Sequence, residues 1–270
     1  VSGRLIVCPT PIGNLEDVTL RVLAALRDAD LIACEDTRRT RILLDRYGVG
    51  SELVSYHEHN ERARANELVR RMQSGAVVAL VSDAGMPLVS DPGFVLVQAC
   101  VAAGLGVEVL PGPSAALSAL VASALPAERW RFVGFLPRKR GELEQLFDST
   151  ETLVAFESPR RLAASLAVLA ERDPTRPAAV CRELTKVHEE IVRADAVTLA
   201  ERYAAEAPRG EIVLVVGPAE HGPAQDLAAA VGALRRLVDA GAKPRPAAGV
   251  VSELTGVSAN ALYRALTAQK

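Results

Sequence analysis

The sequence predicts two successive α/β domains followed by a short helical tail, and three observations carry that expectation. From Arg4 to Ala124 short apolar or β-branched runs alternate with helical patterns, the signature of a parallel sheet with crossover helices. At Ala124-Leu-Pro-Ala-Glu128 a proline breaks the pattern, and a second alternation begins with Arg131-Phe-Val-Gly-Phe-Leu136. The polar stretch Pro218-Ala-Glu-His-Gly-Pro223 then leads into an alanine-rich helical segment. The expected boundaries are 1–125, 126–218 and 225–270.

Taken in order, strands are expected near Leu5-Val7, Leu31-Ala33, Leu53-Ser55, Ala76-Val81 and Val107-Leu110, with helices between them. Gly48, Gly75 and Gly104 each close an apolar-periodic segment where a left-handed cap is expected, while Thr37 and Asn60 are placed to cap the segments after them. In the second unit strands are expected near Thr152-Phe156, Ala178-Cys181, Glu189-Arg193 and Glu211-Val216, and helices over Pro159–Arg172 and Asp195–Glu206. In the tail, residues 247–266 read as two short helices joined at a Thr-Gly turn, with Ser258 capping the second and Asn260, Tyr263 and Arg264 near its exposed face. That spacing is helix-turn-helix-like; a helical hairpin packed on the body is the plainer alternative, and the tail holds few basic residues.

The bulk composition narrows the class. A chain of 270 residues with 49% hydrophobic and 24% charged residues is that of a globular protein with a sizeable core. No apolar run approaches the roughly 18 residues a membrane span needs, and the first residues run directly into a strand without a secretory signal pattern, so a cytoplasmic location is expected. Cys8, Cys34, Cys100 and Cys181 are widely separated and form no C-x-x-C pair; they read as buried free thiols. A net charge of −2 means that any nucleic-acid contact comes from local patches.

Three strand-end loops share a Gly/Pro-rich composition: Pro9-Thr-Pro-Ile-Gly-Asn14, Ser82-Asp-Ala-Gly-Met-Pro-Leu-Val-Ser-Asp-Pro-Gly93 and Pro111-Gly-Pro-Ser114. In open α/β sheets ligands bind outside the carboxyl ends of strands, so the three loops point to one pocket. They contain neither G-x-x-x-x-G-K-[ST] nor a helix-opening G-x-G-x-x-G, which argues against a dedicated phosphate cradle. A ligand held largely by backbone groups, such as S-adenosylmethionine, fits better; simple turn formation is the alternative.

Charged clusters sit at other strand ends. Glu35-Asp-Thr-Arg-Arg-Thr-Arg41 either binds a ligand or pairs internally. Tyr56-His-Glu-His-Asn60 has two histidines at i, i+2 without a third ligand nearby, so no metal is expected. Pro137-Arg-Lys-Arg-Gly141 and Phe156-Glu-Ser-Pro-Arg-Arg161 place Arg138, Lys139, Arg140, Arg160 and Arg161 where they face RNA phosphates or solvent. Arg182-Glu-Leu-Thr-Lys186 adds a lysine and a carboxylate suited to acid–base or electrostatic work.

The segments VCPTPIGNLEDVTLR, CEDTRRTR, SYHEHNE, LVSDAGMPLVSDPG, LPGPSA, GFLPRK, FESPRRL, RELTKVHEE and RGEIVLVV occur in one order. Together they resemble the bacterial 16S ribosomal RNA cytidine-2′-O-ribose methyltransferases of the tetrapyrrole methylase superfamily, over roughly Arg4 to Gly217. The tail resembles that family's helix-turn-helix appendage. The resemblance implies two α/β domains with S-adenosylmethionine between them, a homodimer, and a ribose in the decoding region of the small ribosomal subunit as acceptor, in 16S RNA or the assembled 30S subunit. On matched positions it implies that Pro11 and Ile12, Asp83, Ala84, Gly85 and Met86, Ser114 and Ala115, with Phe156, Leu184 and Gly210 of the second domain, hold the cofactor. Met86 stands where the family commonly has Thr, Cys8 replaces a more usual Ala, and Arg39 and Arg160 or Arg161 stand where His is frequent.

Methyl transfer from a sulfonium is an in-line displacement in which positioning supplies much of the acceleration and a nearby proton acceptor helps. Glu35 or Asp36 is expected as that acceptor or its orienter, Lys186 as the group that lowers the hydroxyl's pKa or holds phosphate, and Arg38 as an RNA anchor. Two rivals remain. A tetrapyrrole methylase of the same superfamily leaves the basic segments without an evident use, and a non-enzymatic nucleic-acid regulator built on the tail leaves the strand-end loops without one.

Overall fold

The computed structural model describes residues 3–219, 223–255 and 257–268. Gly256 of the expected Thr-Gly turn and residues 220–222 of the expected linker lie outside them. Chain order is β1 (Arg4–Val7), α1 (Leu20–Asp28), β2 (Leu31–Cys34), α2 (Thr37–Arg46), β3 (Glu52–Ser55), α3 (Glu61–Gln73), β4 (Val77–Leu80), α4 (Phe94–Ala102), β5 (Gly106–Val109) and α5 (Ala115–Ser123). There follow β6 (Trp130–Phe135), α6 (Arg140–Phe147), β7 (Thr152–Glu157), α7 (Pro159–Arg172), β8 (Pro177–Arg182), β9 (Glu190–Asp195), α8 (Ala196–Ala205) and β10 (Ile212–Val216). The tail contributes α9 (Pro223–Asp239), α10 (Pro244–Thr255) and α11 (Ala259–Ala268).

The first five strands form a parallel sheet in the order β3-β2-β4-β1-β5. A parallel sheet needs crossover helices on both faces, and its strands are therefore almost continuously apolar, as Leu31-Ile-Ala-Cys34 shows. One face packs Ile6, Cys8, Ile32, Cys34 and Ala79 against α1 and α2; the other packs Leu5, Val7, Leu31, Ala33 and Leu80 against α3 and α4. Each fully buried Leu, Ile or Val of this kind contributes roughly 1.5–3 kcal/mol relative to exposure.

The second sheet has the order β6-β7-β10-β8-β9 and is mixed: β6 runs parallel to β7, and the remaining neighbours are antiparallel. Successive side chains of a strand point to opposite faces. Accordingly Leu153, Ala155, Val180, Ile212 and Leu214 pack against α6, α7 and α8 on one face, whereas Val154, Ala179, Cys181, Val213 and Val215 lie on the other. That other face is covered by α5 through Ala116, Ala119 and Leu120, joined by Ile12 from the first loop and Leu184. Because α5 is the last helix of the first alternation, this packing binds the two sheets into one compact unit, residues 1–218.

Several local expectations need adjustment. Asp36, not Thr37, is the N-cap of α2, its carboxylate accepting from the Arg38 amide; Asp accepts from a helix-start N–H as well as Thr does, and here it sits one residue earlier. Asn60 precedes α3 but makes no side-chain cap, because its amide accepts from His57 N and donates to Ser55 O. Gly48, Gly75 and Gly104 do have positive φ, at 62°, 104° and 69°.

The tail, residues 219–270, is a second compact unit. Among its described residues Leu234, Ala247, Ala248, Val251 and Leu262 form a core between the three helices. Asn260 and Arg264 are exposed on α11, and the Arg245 guanidinium lies 5.4 Å from the Tyr263 ring centre. No helix among the described residues is long and apolar enough to cross a membrane.

Candidate functional site

The carboxyl ends of the central strands open into a cavity of about 330 Å³ walled by both sheets. Ile12 comes from the loop after β1, residues 84–86 and 89–91 from the loop after β4, and Ser114 and Ala115 from the start of α5. The opposite wall is Phe135, Phe156 to Pro159, Cys181, Leu184 and Gly210 to Val213. Ser114 caps α5 by accepting from Leu117 N, so the first turn of that helix faces the cavity. The loops after β1 and β4 are stitched together: Thr10 N donates to Gly85 O at 2.8 Å, Gly85 N returns to Thr10 O at 2.9 Å, and Thr10 Oγ1 donates to Ser82 O at 3.0 Å.

Two of the lining loops hold non-glycine residues in left-handed conformation: Leu88 and Ser90 at φ 72° and 68°, Glu183 and Thr185 at φ 51° and 67°. Each costs of order 1–3 kcal/mol, which surrounding contacts must offset, and such strain concentrates at sites of function. Leu88 is anchored by packing against the core between the first sheet and α3 and α4, and Thr185 by accepting from Asn14 N at 3.0 Å and by donating its amide to Glu189 Oε2 at 2.6 Å.

Of the residues expected to hold a cofactor, Ile12, Ala84, Gly85, Met86, Ser114, Ala115, Phe156, Leu184 and Gly210 line the cavity. Pro11 and Asp83 adjoin it in sequence but are not in its wall; Asp83 accepts from Asp36 N at 3.0 Å and pairs with Arg39 at 3.5 Å. Met86 meets the cavity and also packs against the core between the first sheet and α3 and α4, so a thioether replaces a hydroxyl at that point of the wall.

The expected catalytic residues fall into two groups. Glu35 and Asp36 belong to a carboxylate cluster with Asp83 and Asp91. Burial, then Asp83, pushes Glu35 up, whereas hydrogen bonds from Arg38 hold Asp36 down at about 2. Lys186 Nζ donates to Glu183 Oε1 and Glu211 Oε2, each at 2.8 Å. Burial alone would lower its pKa, but the two carboxylates outweigh that and raise it, so Lys186 stays a cation. Among the described residues no hydrogen bond or ion pair joins Lys186 to Glu35 or Asp36.

Asp91 is the group that sequence reasoning passed over. It lines the cavity, and burial, followed by the charges of Glu35 and Asp83, lifts its carboxyl to about 7. Its place in Ser90-Asp-Pro-Gly93 reads as turn chemistry; the only sequence signal was that this turn ends the longest strand-end loop. Glu157 also reaches the wall, but it accepts from Ser158 N at 2.7 Å and Ser165 Oγ at 2.6 Å and is occupied.

The expected RNA contacts differ in availability. Arg138 and Arg160 are exposed and make no ion pair or hydrogen bond among the described residues. Arg38 is 90% exposed but bonded to Asp36; Lys139 pairs with Glu142, and Arg140 with Glu144 and Glu171. Arg161 is structural, donating to Leu136 O and Pro137 O and lying 3.5 Å from Glu157. Among the described residues no group of three or more His, Cys, Asp or Glu could hold a metal ion, and all four cysteines are free and buried.

Residues 4–200 match the sequence family described as Tetrapyrrole (Corrin/Porphyrin) Methylases. The chain is 47% identical to the "Ribosomal RNA small subunit methyltransferase I" of Mesorhizobium japonicum, with 98% of this chain and 92% of that protein covered. It is 42% identical to the protein so named in Escherichia coli O157:H7, with 97% and 94% covered. Among solved structures, uroporphyrin-III C-methyltransferase from Thermus thermophilus complexed with S-adenyl homocysteine superposes with a TM-score of 0.58 at 23% identity, covering 80% of this chain and 97% of that one. A diphthine synthase does so with a TM-score of 0.60 at 15% identity, covering 80% and 90%. At these identities the structural likenesses speak to fold alone.

Proposed function

Because this chain belongs to the tetrapyrrole methylase family, and within it to the ribosomal RNA small subunit methyltransferase I group, we propose that it methylates a ribose 2′-oxygen of a cytidine in 16S ribosomal RNA, with S-adenosylmethionine as donor. The observation that carries this is near-full-length identity of 47% to a protein of that name. The decoding region of the small subunit is the proposed locus, and the reading includes a cytoplasmic homodimer, for which exposed Leu117 and Val121 on α5 and Val109 on the edge strand β5 offer apolar surface.

The cavity suits such a donor. Ile12, Met86, Phe156 and Leu184 offer apolar wall for a nucleoside, and the strand-end loops offer backbone groups. No phosphate cradle is present in the sequence, and none is needed. When bound, S-adenosylmethionine supplies an electrophilic methyl group on a sulfonium.

The chain's own residues do the rest. Asp91 accepts the proton that leaves the ribose hydroxyl as the new C–O bond forms, because a carboxylate with a pKa of about 7 is a far better acceptor at neutral pH than Asp36 at about 2. Glu35 serves that role indirectly, its charge helping to keep the Asp91 pKa high. Asp36 caps α2 and holds Arg38 for RNA. Lys186, a fixed cation packed over Gly13, offers positive charge to phosphate. Arg138 and Arg160 contact the RNA backbone.

Incubating the protein with methyl-labelled S-adenosylmethionine and, separately, 30S subunits, naked 16S RNA or a uroporphyrinogen separates this reading from the tetrapyrrole alternative. Label in RNA or subunits is the expected outcome; label in the tetrapyrrole alone would reject the RNA reading.

A further inference from the structure

Strand β6 carries an irregularity opposite β7. Phe132 pairs with Val154 and Phe135 with Phe156, so three residues of β6 advance against two of β7. The extra residue is accommodated at Gly134, in left-handed conformation at φ 66°. In a regular strand, residues three apart point to opposite faces. The bulge cancels that alternation and brings Phe135 to the face that already holds Phe132 and Phe156.

The result is a run of three rings. Phe132 meets Phe156 edge to face with centroids 5.0 Å apart, and Phe135 meets Phe156 in the same manner at 5.6 Å. The inner rings belong to the core beneath the cavity, yet Phe135 lines the cavity while remaining 61% exposed. Its segment is held firmly: Leu136 N donates to Phe156 O at 3.1 Å, and Arg161 clamps Leu136 O and Pro137 O. A β-carbon on Gly134 would lie 3.6 Å from Ser90 Oγ, so the bulge stands beside the loop that carries Asp91, and Phe135, Ser90 and Asp91 line the same cavity. Arg138 and Arg160, exposed and unpaired among the described residues, lie three residues after Phe135 and on the first turn of α7.

We propose that Phe135 is a stacking platform for an unstacked nucleobase of the RNA substrate, at the mouth of the cavity. This rests on the RNA reading above and adds a base-recognition subsite to it. An aromatic face beside free cations is how proteins take a splayed base from single-stranded RNA: the ring stacks and the cations hold neighbouring phosphates. A rigid ring loses little conformational freedom in doing so.

The test compares the wild-type protein with Phe135→Ala, Phe135→Leu and Phe135→Trp. Methyl transfer to 30S subunits from cells lacking the modification gives kcat/KM, and calorimetry gives the affinity for S-adenosylmethionine. Alanine is expected to lower kcat/KM for subunits about 5- to 150-fold with cofactor affinity unchanged. Leucine, apolar without a π face, should behave like alanine, and tryptophan should stay close to wild type. A normal kcat/KM in Phe135→Ala or Phe135→Leu would overturn the platform while leaving the RNA reading intact, as would a loss confined to cofactor affinity. Absence of transfer to RNA by the wild-type protein would overturn the RNA reading itself.

Discussion

The side chain of Lys186 fills the space above Gly13: a β-carbon at Gly13 would come within 2.4 Å of Lys186 Cγ and 2.7 Å of Thr185 Oγ1. Alongside, Asn14 N donates to Thr185 Oγ1 at 3.0 Å, so the first loop of one sheet is clasped by the Glu183–Lys186 turn of the other. Ile12 and Leu184, sequence neighbours of Gly13 and Thr185, line the cavity from the two sides.

Gly13→Ala is therefore expected to destabilise the protein by about 1–3 kcal/mol, as overpacking does, and to lower cofactor affinity. Urea midpoints and calorimetry check both. Lys186→Ala in the same chain should recover part of the stability loss, because the pair is in contact and the effects are not additive.

Asp91→Asn should reduce the single-turnover methylation rate about 10²- to 10⁴-fold, the usual yield of a lost proton acceptor, with little change in subunit KM. The wild-type rate should rise with pH through about 7 and level off, since the acceptor must be ionised. That inflection should vanish in the variant; its persistence would assign the titration elsewhere.

The same carboxyl has a stability signature of definite sign. Its folded pKa lies above the unfolded value, 3.8 rising to about 7, so the folded state binds the extra proton between those limits. Stability from this group is fully present below pH 3.8 and is lost as pH rises through about 7. Asp91→Asn should accordingly raise Tm at pH 8 more than at pH 5, a difference that thermal scans at the two pH values measure.

Arg176 is 2% exposed and donates to Gly217 O at 2.6 Å, Phe147 O at 3.2 Å and Ser149 O at 3.0 Å. Replacing it by Ala leaves buried carbonyls without a donor where the end of β10 meets the end of α6. A loss of about 3–5 kcal/mol is expected from chemical denaturation.

Arg138→Ala and Arg160→Ala should each weaken subunit binding and flatten the log–log salt dependence by about one unit, without altering cofactor affinity. Arg161→Ala should instead lower stability, because its guanidinium serves backbone carbonyls. Filter binding across a salt series separates the two behaviours.

Much of this architecture was legible from local pattern. Short apolar and β-branched runs located the strands, and glycine at helix ends marked the closure of the helices, because those features depend on near neighbours. Composition also drew attention to the three strand-end loops, whose residues meet in one cavity. What stayed hidden depended on distant contacts. Asp91 gains its raised pKa from burial and from Glu35 and Asp83, none of which its own turn reveals. Phe135 reads as an ordinary strand residue until the bulge at Gly134 turns it to the cavity face. Lys186 reads in sequence as a group that lowers the hydroxyl's pKa or holds phosphate, but its pairing with two carboxylates, Glu183 and the distant Glu211, appears only in the structure. Arg161 looks like its neighbour Arg160, but the loop carbonyls it serves lie about 25 residues earlier.

Nucleoside analysis is the direct test of 2′-O-ribose methylation. Subunits from cells lacking the modification are incubated with the protein and S-adenosylmethionine, the RNA is digested to nucleosides, and mass spectrometry identifies the methylated product. 2′-O-methylcytidine is expected, absent when the donor is withheld. A base-methylated nucleoside, or no methylated nucleoside from a preparation that binds the donor, would contradict that reaction.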